Sequence, residues 1–245
     1  MIFSESQLQK LRQKAGQMGI ELDDNMLHQY DTFTAMLLER NKVMNLTAIT
    51  DPDEVIDKHL ADSISAGPLI LGGGRKRRMI DVGTGAGFPG IPLKIAFDRE
   101  LELTLMDSLN KRIGFLQEVK DRLGLSQTKA VHARAEDLAR DKAYREKFDI
   151  CTSRAVANLS TLCEYCLPFV KTGGIFCAYK APGADKEVEE AKKAIRLLGG
   201  KLEKVENLTL PGTQIGRTLV IIKKIGASPR IYPRKAGTPS KDPIH

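Results

Sequence analysis

No apolar run in this 245-residue chain approaches the ~20 residues that a helix needs to cross a bilayer. The start, Met1-Ile2-Phe3-Ser4-Glu5-Ser6, has neither the basic segment nor the apolar segment of a secretory signal. Both absences argue against a membrane or exported protein, and a cytoplasmic one is expected. Cysteine is scarce. Cys163-Glu-Tyr-Cys166 has the spacing of a redox pair or half a zinc site, but it falls late in an apolar helical run, 159–170. Redox pairs work at a helix start after a strand, and no second pair completes a ligand set. Together with Cys151 and Cys177, these are expected to be small buried hydrophobes kept reduced, with no metal. Internal repeats are absent. Acidic residues are the minority: 38 Lys and Arg against 31 Asp and Glu leave a net charge of +7, which favours a polyanionic partner without requiring one.

What is present suits an ordinary soluble globular protein, 42% hydrophobic and 28% charged. The length fits one substantial domain plus an appendage. The most informative stretch is Met79-Ile-Asp81-Val-Gly83-Thr-Gly85-Ala-Gly87-Phe88-Pro89-Gly90. Met79, Ile80 and Val82 suggest a buried strand, the glycines a tight turn that can lie against a ligand, and Ile91 to Phe97 a helix. Strand, glycine turn and helix make the first half of a nucleotide-binding βαβ unit. The next apolar strand ends in Asp107, about 20 residues beyond the glycines, where an acid can hold ribose hydroxyls. Asp81, two residues before the first glycine, makes the stretch resemble motif I of class I S-adenosylmethionine-dependent methyltransferases. That cofactor carries an amino group and a sulfonium but no pyrophosphate, so carboxylates suit it better than a bare phosphate cradle.

Residues 1–70 form an expected helical extension packed on the sheet. Ser4-x-x-Gln7 is a capping box, Asp23 or Asp24 can cap a second helix, and Asp51-Pro52-x-Glu54 opens a third. A polar segment, 40–47, is expected to join the second and third helices. His59 falls on an apolar helical face, where a hydrogen-bonded core histidine is favoured over a catalytic one. The basic cluster Arg75-Lys-Arg-Arg78 is either a solvated loop or an RNA phosphate contact. Residues 71–226 alternate strand and helix, with strands expected at 79–82, 101–106, 128–132, 148–153 and 174–179, then two at 202–208 and 217–225 joined by Pro211-Gly212. The fold class is therefore α/β, a Rossmann-like, mostly parallel seven-stranded sheet with helices on both faces. Residues 227–245 make a basic, proline-rich tail.

Ligands of an open α/β sheet bind beyond the carboxyl ends of its strands. The backbone of Gly83 and Gly85 can approach the methionine portion of the cofactor, Asp107 its ribose, and Ala135-Glu136 its adenine. Arg154, after the fourth strand, offers a fork of donors to a carboxylate or phosphate, with a possible positioning role. In the tail, Arg230, Tyr232, Arg234, Lys235 and Lys241 combine charge with a stacking ring and are the expected RNA contacts.

Several stretches together resemble the bacterial RsmG (glucose-inhibited division protein B) family of 16S rRNA guanine-N7 methyltransferases. They are Asn41-Lys-Val-Met-Asn45-Leu46-Thr47, His59-Leu-Ala-Asp62-Ser63, the glycine stretch with its Phe88-Pro89-Gly90, Arg154-Ala-Val-Ala157 and Tyr232-Pro-Arg234-Lys235-Ala-Gly237-Thr-Pro239-Ser-Lys241. Asp107-Ser-Leu-Asn-Lys111-Arg112 and Ala133-Arg-Ala135-Glu136 fit as well; Asp242-Pro-Ile-His245 departs slightly. The resemblance implies methyl transfer from S-adenosylmethionine to N7 of guanine 527 (conventional rRNA numbering), with 16S rRNA or the small ribosomal subunit as partner. It implies cofactor contacts at Gly83, Phe88, Ala135, Glu136 and Arg154. A monomer is expected.

That reaction suits what the chain lacks. Guanine N7 offers a lone pair and no proton, so proximity and alignment suffice, and no catalytic acid or base is assigned. There is no Asn/Asp-Pro-Pro-aromatic motif of exocyclic-amine methylation and no Pro-Cys nucleophile of cytosine-C5 methylation. A nicotinamide-dependent reductase would carry Tyr-x-x-x-Lys, and Tyr144-Arg-Glu-Lys147 is one residue short. A non-catalytic RNA-binding factor would not need both acids and the glycine loop. The remaining alternative is an S-adenosylmethionine-dependent methyltransferase acting on another RNA or a small molecule.

Overall fold

The computed structural model describes residues 1–71 and 74–244. Gly72 and Gly73, which precede the basic cluster, and His245 lie outside the described residues. The chain opens with helix α1 (Glu5–Gln17), whose capping box closes as Ser4 N–H donates to Gln7 Oε1 at 3.0 Å and Gln7 N–H to Ser4 Oγ at 3.3 Å. Helix α2 (Asp24–Met44) is capped by Asp23, which accepts from Met26 N–H at 2.7 Å. It runs through Met44, so most of the expected joining segment is helical, and the turn begins at Asn45, in the left-handed region at φ 48°. The Asn41 side chain holds that turn through two bonds to the Thr47 backbone, each 2.9 Å.

Helix α3 (52–64) starts on the Asp51 cap and Pro52, and its middle, Ile56–Ala61, is π-helical. A short helix α4 (Gly67–Ile70) leads to strand β1 (Arg77–Val82). Then come α5 (Gly90–Ala96), β2 (Leu101–Asp107), α6 (Asn110–Arg122), β3 (Thr128–His132) and α7 (Ala135–Leu138). They are followed by β4 (Phe148–Arg154), α8 (Leu159–Cys166), β5 (Val170–Lys180) and α9 (Asp185–Leu197). Strands β6 (Gly200–Thr209) and β7 (Gly216–Lys224) form a hairpin. The sheet order is β3-β2-β1-β4-β5-β7-β6, with β7 antiparallel to both its neighbours and the first five strands parallel. This is the expected Rossmann-like architecture, with a topological switch point between β1 and β4.

Alternation along the strands divides the interior into two cores. Met79, Leu103, Leu105, Ile150 and Tyr179 face a core that receives Leu11, Tyr30, Phe33 and Leu37 from α1 and α2. Ile80, Val82, Cys151, Phe176 and Val220 face the other, filled by Leu162 and Cys166 of α8 and Ile195 of α9. The N-terminal helices thus share the first core with the sheet, and the Tyr30 hydroxyl donates to Pro92 O at 2.8 Å. All four cysteines are free and buried, and burial raises every thiol pKa, so they are packing groups rather than nucleophiles.

The tail folds back along the second face and ends in a short helix, α10 (Thr238–Lys241). Ile244 and Tyr232 pack into that core. Arg145 donates to Ser228 O and Tyr232 O, both at 2.9 Å, and Arg140 to Pro233 O at 2.5 Å. The main fastening is Arg234, whose Nε and Nη2 grip the two oxygens of Glu164 at 3.0 and 2.8 Å. Glu164 is 1% exposed on α8. Arg234, one of the expected RNA contacts, is paired with this carboxylate, because a buried acid left unpaired is costly. Arg234→Ala should therefore lower unfolding stability by about 3 kcal/mol, whereas the exposed Lys235→Ala should change it by under about 0.5 kcal/mol. Urea denaturation of the two variants measures both values, and equal effects would refute the buried pair.

Candidate active site

Beyond the carboxyl ends of β1 to β4 lies a cavity of about 510 Å³. Gly83 of the glycine turn borders it, and that turn is organised by Asp81. This carboxylate is fully buried; Oδ2 accepts from Thr84 Oγ1 at 2.7 Å and from Gly90 N–H at 2.9 Å, and Oδ1 from Thr152 Oγ1 at 3.2 Å. Burial pushes its pKa up to about 6, against the opposite pull of those hydrogen bonds. Asp81 does not border the cavity, so the acid that the sequence suggested for the cofactor's cationic end is instead a staple for the turn. At Gly83, φ is 71° and an added Cβ would stand 2.6 Å from Val156 Cγ2.

Of the expected cofactor contacts, Gly83, Asp107, Ala135 and Glu136 line this cavity together. Asp107 is a pre-set acceptor: Oδ1 takes Leu109 N–H at 2.9 Å, and Oδ2 takes Gly85 N–H at 3.0 Å and Arg112 Nη1 at 3.2 Å. Gly85 therefore acts here through Asp107. Glu136 is 6% exposed, with Oε1 accepting from Gly237 N–H at 2.9 Å. Sequence reasoning missed Arg112, Tyr165, Gly237 and Ser240, which also line the cavity. Tyr165 was hidden inside the cysteine pair, and the tail turn follows Glu136 by about a hundred positions.

Phe88 and Arg154 stand apart from the cavity lining, in a cluster shared with α3. Arg154 donates through Nη1 to Asp62 Oδ2 at 2.6 Å and lies over the Phe88 ring, 5.0 Å from its centroid. His59 stacks on Phe88 at 4.5 Å, and its Nε2 pairs with Thr47 Oγ1 at 2.8 Å. Asp62 is fully buried, and its other oxygen accepts from Arg217 Nε at 2.5 Å. Arg154, expected at the cofactor, stands outside this lining in an ion pair with Asp62, and His59 is half-buried with its hydrogen bond to Thr47. Arg230, Lys235 and Lys241 are exposed, and Tyr232 is half-buried. The Arg75–Arg78 cluster lies at the amino end of β1, across the sheet from the cavity at its carboxyl end.

A family model described as rRNA small subunit methyltransferase G matches residues 26–215. Ribosomal RNA small subunit methyltransferase G of Alkaliphilus metalliredigens is 49% identical over 236 residues, spanning 96% of this chain and 97% of that protein. Its counterpart from Acetivibrio thermocellus is 51% identical over 226 residues, 92% of each chain. The chain belongs to the rRNA small subunit methyltransferase G family. Among solved structures, the [4+2]-cyclase SpnF superposes with a TM-score of 0.54 at 14% identity, over 82% of this chain and 97% of that one. NSun6 from Pyrococcus horikoshii gives 0.54 at 16% identity, over 69% and 52%. At such identities these likenesses show the fold alone.

The methyltransferase uses S-adenosylmethionine, and the cavity's residues fit that group. The volume lies in the range of small-molecule sites. Gly83, without a Cβ, borders it beside two buried carboxylates, Asp107 and Glu136, which can accept from hydroxyl and amino donors.

The histidine of the methyltransferase's second cluster makes pH a probe of it. Burial first, and then Arg154, lowers the His59 pKa from 6.5 to about 4. A base whose folded pKa is depressed gives stability that is present above pH 6.5 and is lost as pH falls through about 4. Wild type should therefore lose on the order of 3 kcal/mol more than His59→Gln between pH 7 and pH 4. Parallel stability curves for the two proteins over that range would contradict the depressed pKa.

Proposed function

We propose that this rRNA methyltransferase transfers the methyl group to N7 of a guanine in 16S rRNA, guanine 527 in conventional numbering. It does so by positioning, as a cytoplasmic monomer. The observation that carries the reading is the coincidence of the glycine turn, Asp107 and Glu136 around one cavity in a chain that family relatives match over nearly its whole length. When bound, S-adenosylmethionine supplies an electrophilic methyl group on a sulfonium. The rest is left to the chain. Gly83 lets the backbone approach the methionine portion, Asp107 accepts from the ribose, and Glu136 with Ala135 borders the adenine. Arg154 and Phe88 act one layer out, bracing α3 against the end of β4.

Positioning without a base agrees with the groups available. The nucleophilic nitrogen has no proton to remove, so alignment supplies most of the rate. The ionisable side chains bordering the cavity are Asp107, Arg112, Arg134, Glu136 and Tyr165, and burial raises the Tyr165 pKa further from neutrality. None is a histidine, cysteine or lysine poised near pH 7. Charge for the polyanionic substrate comes from Arg230, Lys235 and Lys241, all exposed on the folded tail.

Incubation with labelled S-adenosylmethionine and either free 16S rRNA or small subunits, followed by nucleoside analysis, should put label in 7-methylguanosine. Label in another nucleoside would overturn the N7 reading and keep the fold. Single-turnover methylation should also be flat from about pH 7 to pH 9. A rate rising tenfold per unit with an apparent pKa near 7.5 would mean that a base takes part.

A further inference from the structure

The tail was expected to serve RNA, yet part of it faces the cavity. Gly237 and Ser240 line the space that also holds Asp107 and Glu136, opposite the glycine turn in sequence but adjacent in the fold. We propose that the turn at 237–240 is the outer wall of the methyl-donor cavity at its adenine end, which makes the C-terminal tail a determinant of donor affinity. The inference rests on the donor reading of that cavity given above.

The end of the cavity follows from the sheet order. Beyond β1, the lining passes to Asp107 at the end of β2 and then to Ala135-Glu136 after β3, moving away from the switch point. If Asp107 takes the ribose, the base lies on the β3 side, and there the tail closes the space. Gly237, at φ 83°, donates its N–H to Glu136 Oε1 at 2.9 Å. Glu136 Oε2 has no donor among the described residues, so one oxygen is pinned and the other is left for a ligand's amino group.

The wall is held rigidly from behind. The buried Thr161 hydroxyl on α8 donates to Pro239 O at 2.9 Å, and Arg234 clamps Glu164 three residues further along the same helix. Both anchors come from α8, which also supplies Tyr165 to the lining. Helix, tail turn and Glu136 therefore form one unit. Arg234 is a positioning residue in this arrangement: it touches no part of the cavity and acts through the turn it fastens.

The test is calorimetric binding of S-adenosylhomocysteine and of adenosine to the full-length protein, with no methyl transfer involved. Ser240 is exposed, so Ser240→Trp costs no core packing and places bulk at the cavity's rim. Both ligands should bind at least about tenfold more weakly to it, with the melting temperature lowered by no more than the loss of one exposed hydrogen bond, Ser240 Oγ to Gly237 O, accounts for. Arg234→Ala should weaken both ligands by roughly fivefold or more by loosening the wall, and Arg234→Lys should recover part of that loss. Binding of an rRNA fragment, measured alongside, separates the rival role. Unchanged ligand affinity in Ser240→Trp would overturn the proposal, as would variants that lose only the rRNA fragment. Failure of the wild-type chain to bind either ligand would overturn the donor reading and this inference with it.

Discussion

The site depends first on a carboxylate that never meets solvent. Asp81 ends β1 with three hydrogen bonds, from the Thr84 hydroxyl, the Gly90 amide and the Thr152 hydroxyl. The first two reach across the glycine turn and set its curvature; the third ties it to β4, across the switch point. Desolvation works against the ionised form, and the raised pKa records that opposition. The space around it is closed as well: a Cβ at Gly90 would lie 2.9 Å from Asp81 Oδ2 and 2.5 Å from Leu105 Cδ2. The turn's shape is therefore a consequence of charge burial and close packing together. Gly85 N–H is then presented to Asp107, so the acid at the end of β2 inherits its position from the acid at the end of β1.

A second buried acid does similar work on the same face of the sheet, within α3. Asp62 divides its two oxygens between Arg154 of β4 and Arg217 of β7, joining the N-terminal helices to two strand ends. Its cost of burial is offset only because both guanidiniums are in place, so the three side chains act as a unit. The π-helical segment that precedes Asp62 carries His59 against Phe88. Phe88 in turn lies beneath Arg154. The extension is thus locked to the sheet by charge at one level and by stacked rings at the next.

The strands and caps were legible because their signals are local. Alternation of Met79, Ile80 and Val82 between two cores, the Ser4 and Asp51 caps, and Asp107 at a strand end all follow from a few consecutive residues. Directions of long side chains were not legible. Arg154 and Asp62 are 92 positions apart, and Glu136 and Gly237 are 101 apart, so no short-range pattern connects them. One such pairing did leave a trace. Glu164 stands in an otherwise apolar helical run, and a buried acid calls for a cation; which cation answers, 70 positions away, no local pattern says.

That pairing also changes how the protein's positive charge should be read. Counting cations treats every Lys and Arg from Lys223 to Lys241 as available to phosphate, yet two of the six are structural. Lys224 is fully buried, donating to Leu167 O and Ser228 Oγ, and burial lowers its pKa to about 8. Arg234 is held by Glu164. Lys223 is half-buried, and what remains exposed is Lys235 just before the cavity turn, Lys241 just after Ser240, and Arg230 upstream. Unscreened attraction acts over about a Debye length, roughly 8 Å at physiological salt. On the proposed reading, cations flanking the turn draw phosphates toward the rim of the cavity rather than to the protein at large. The segment that lines the cavity through Gly237 and Ser240 carries its exposed charge at Lys235 and Lys241, so under the proposed function ordering of the tail would serve both surfaces that the reaction must bring together.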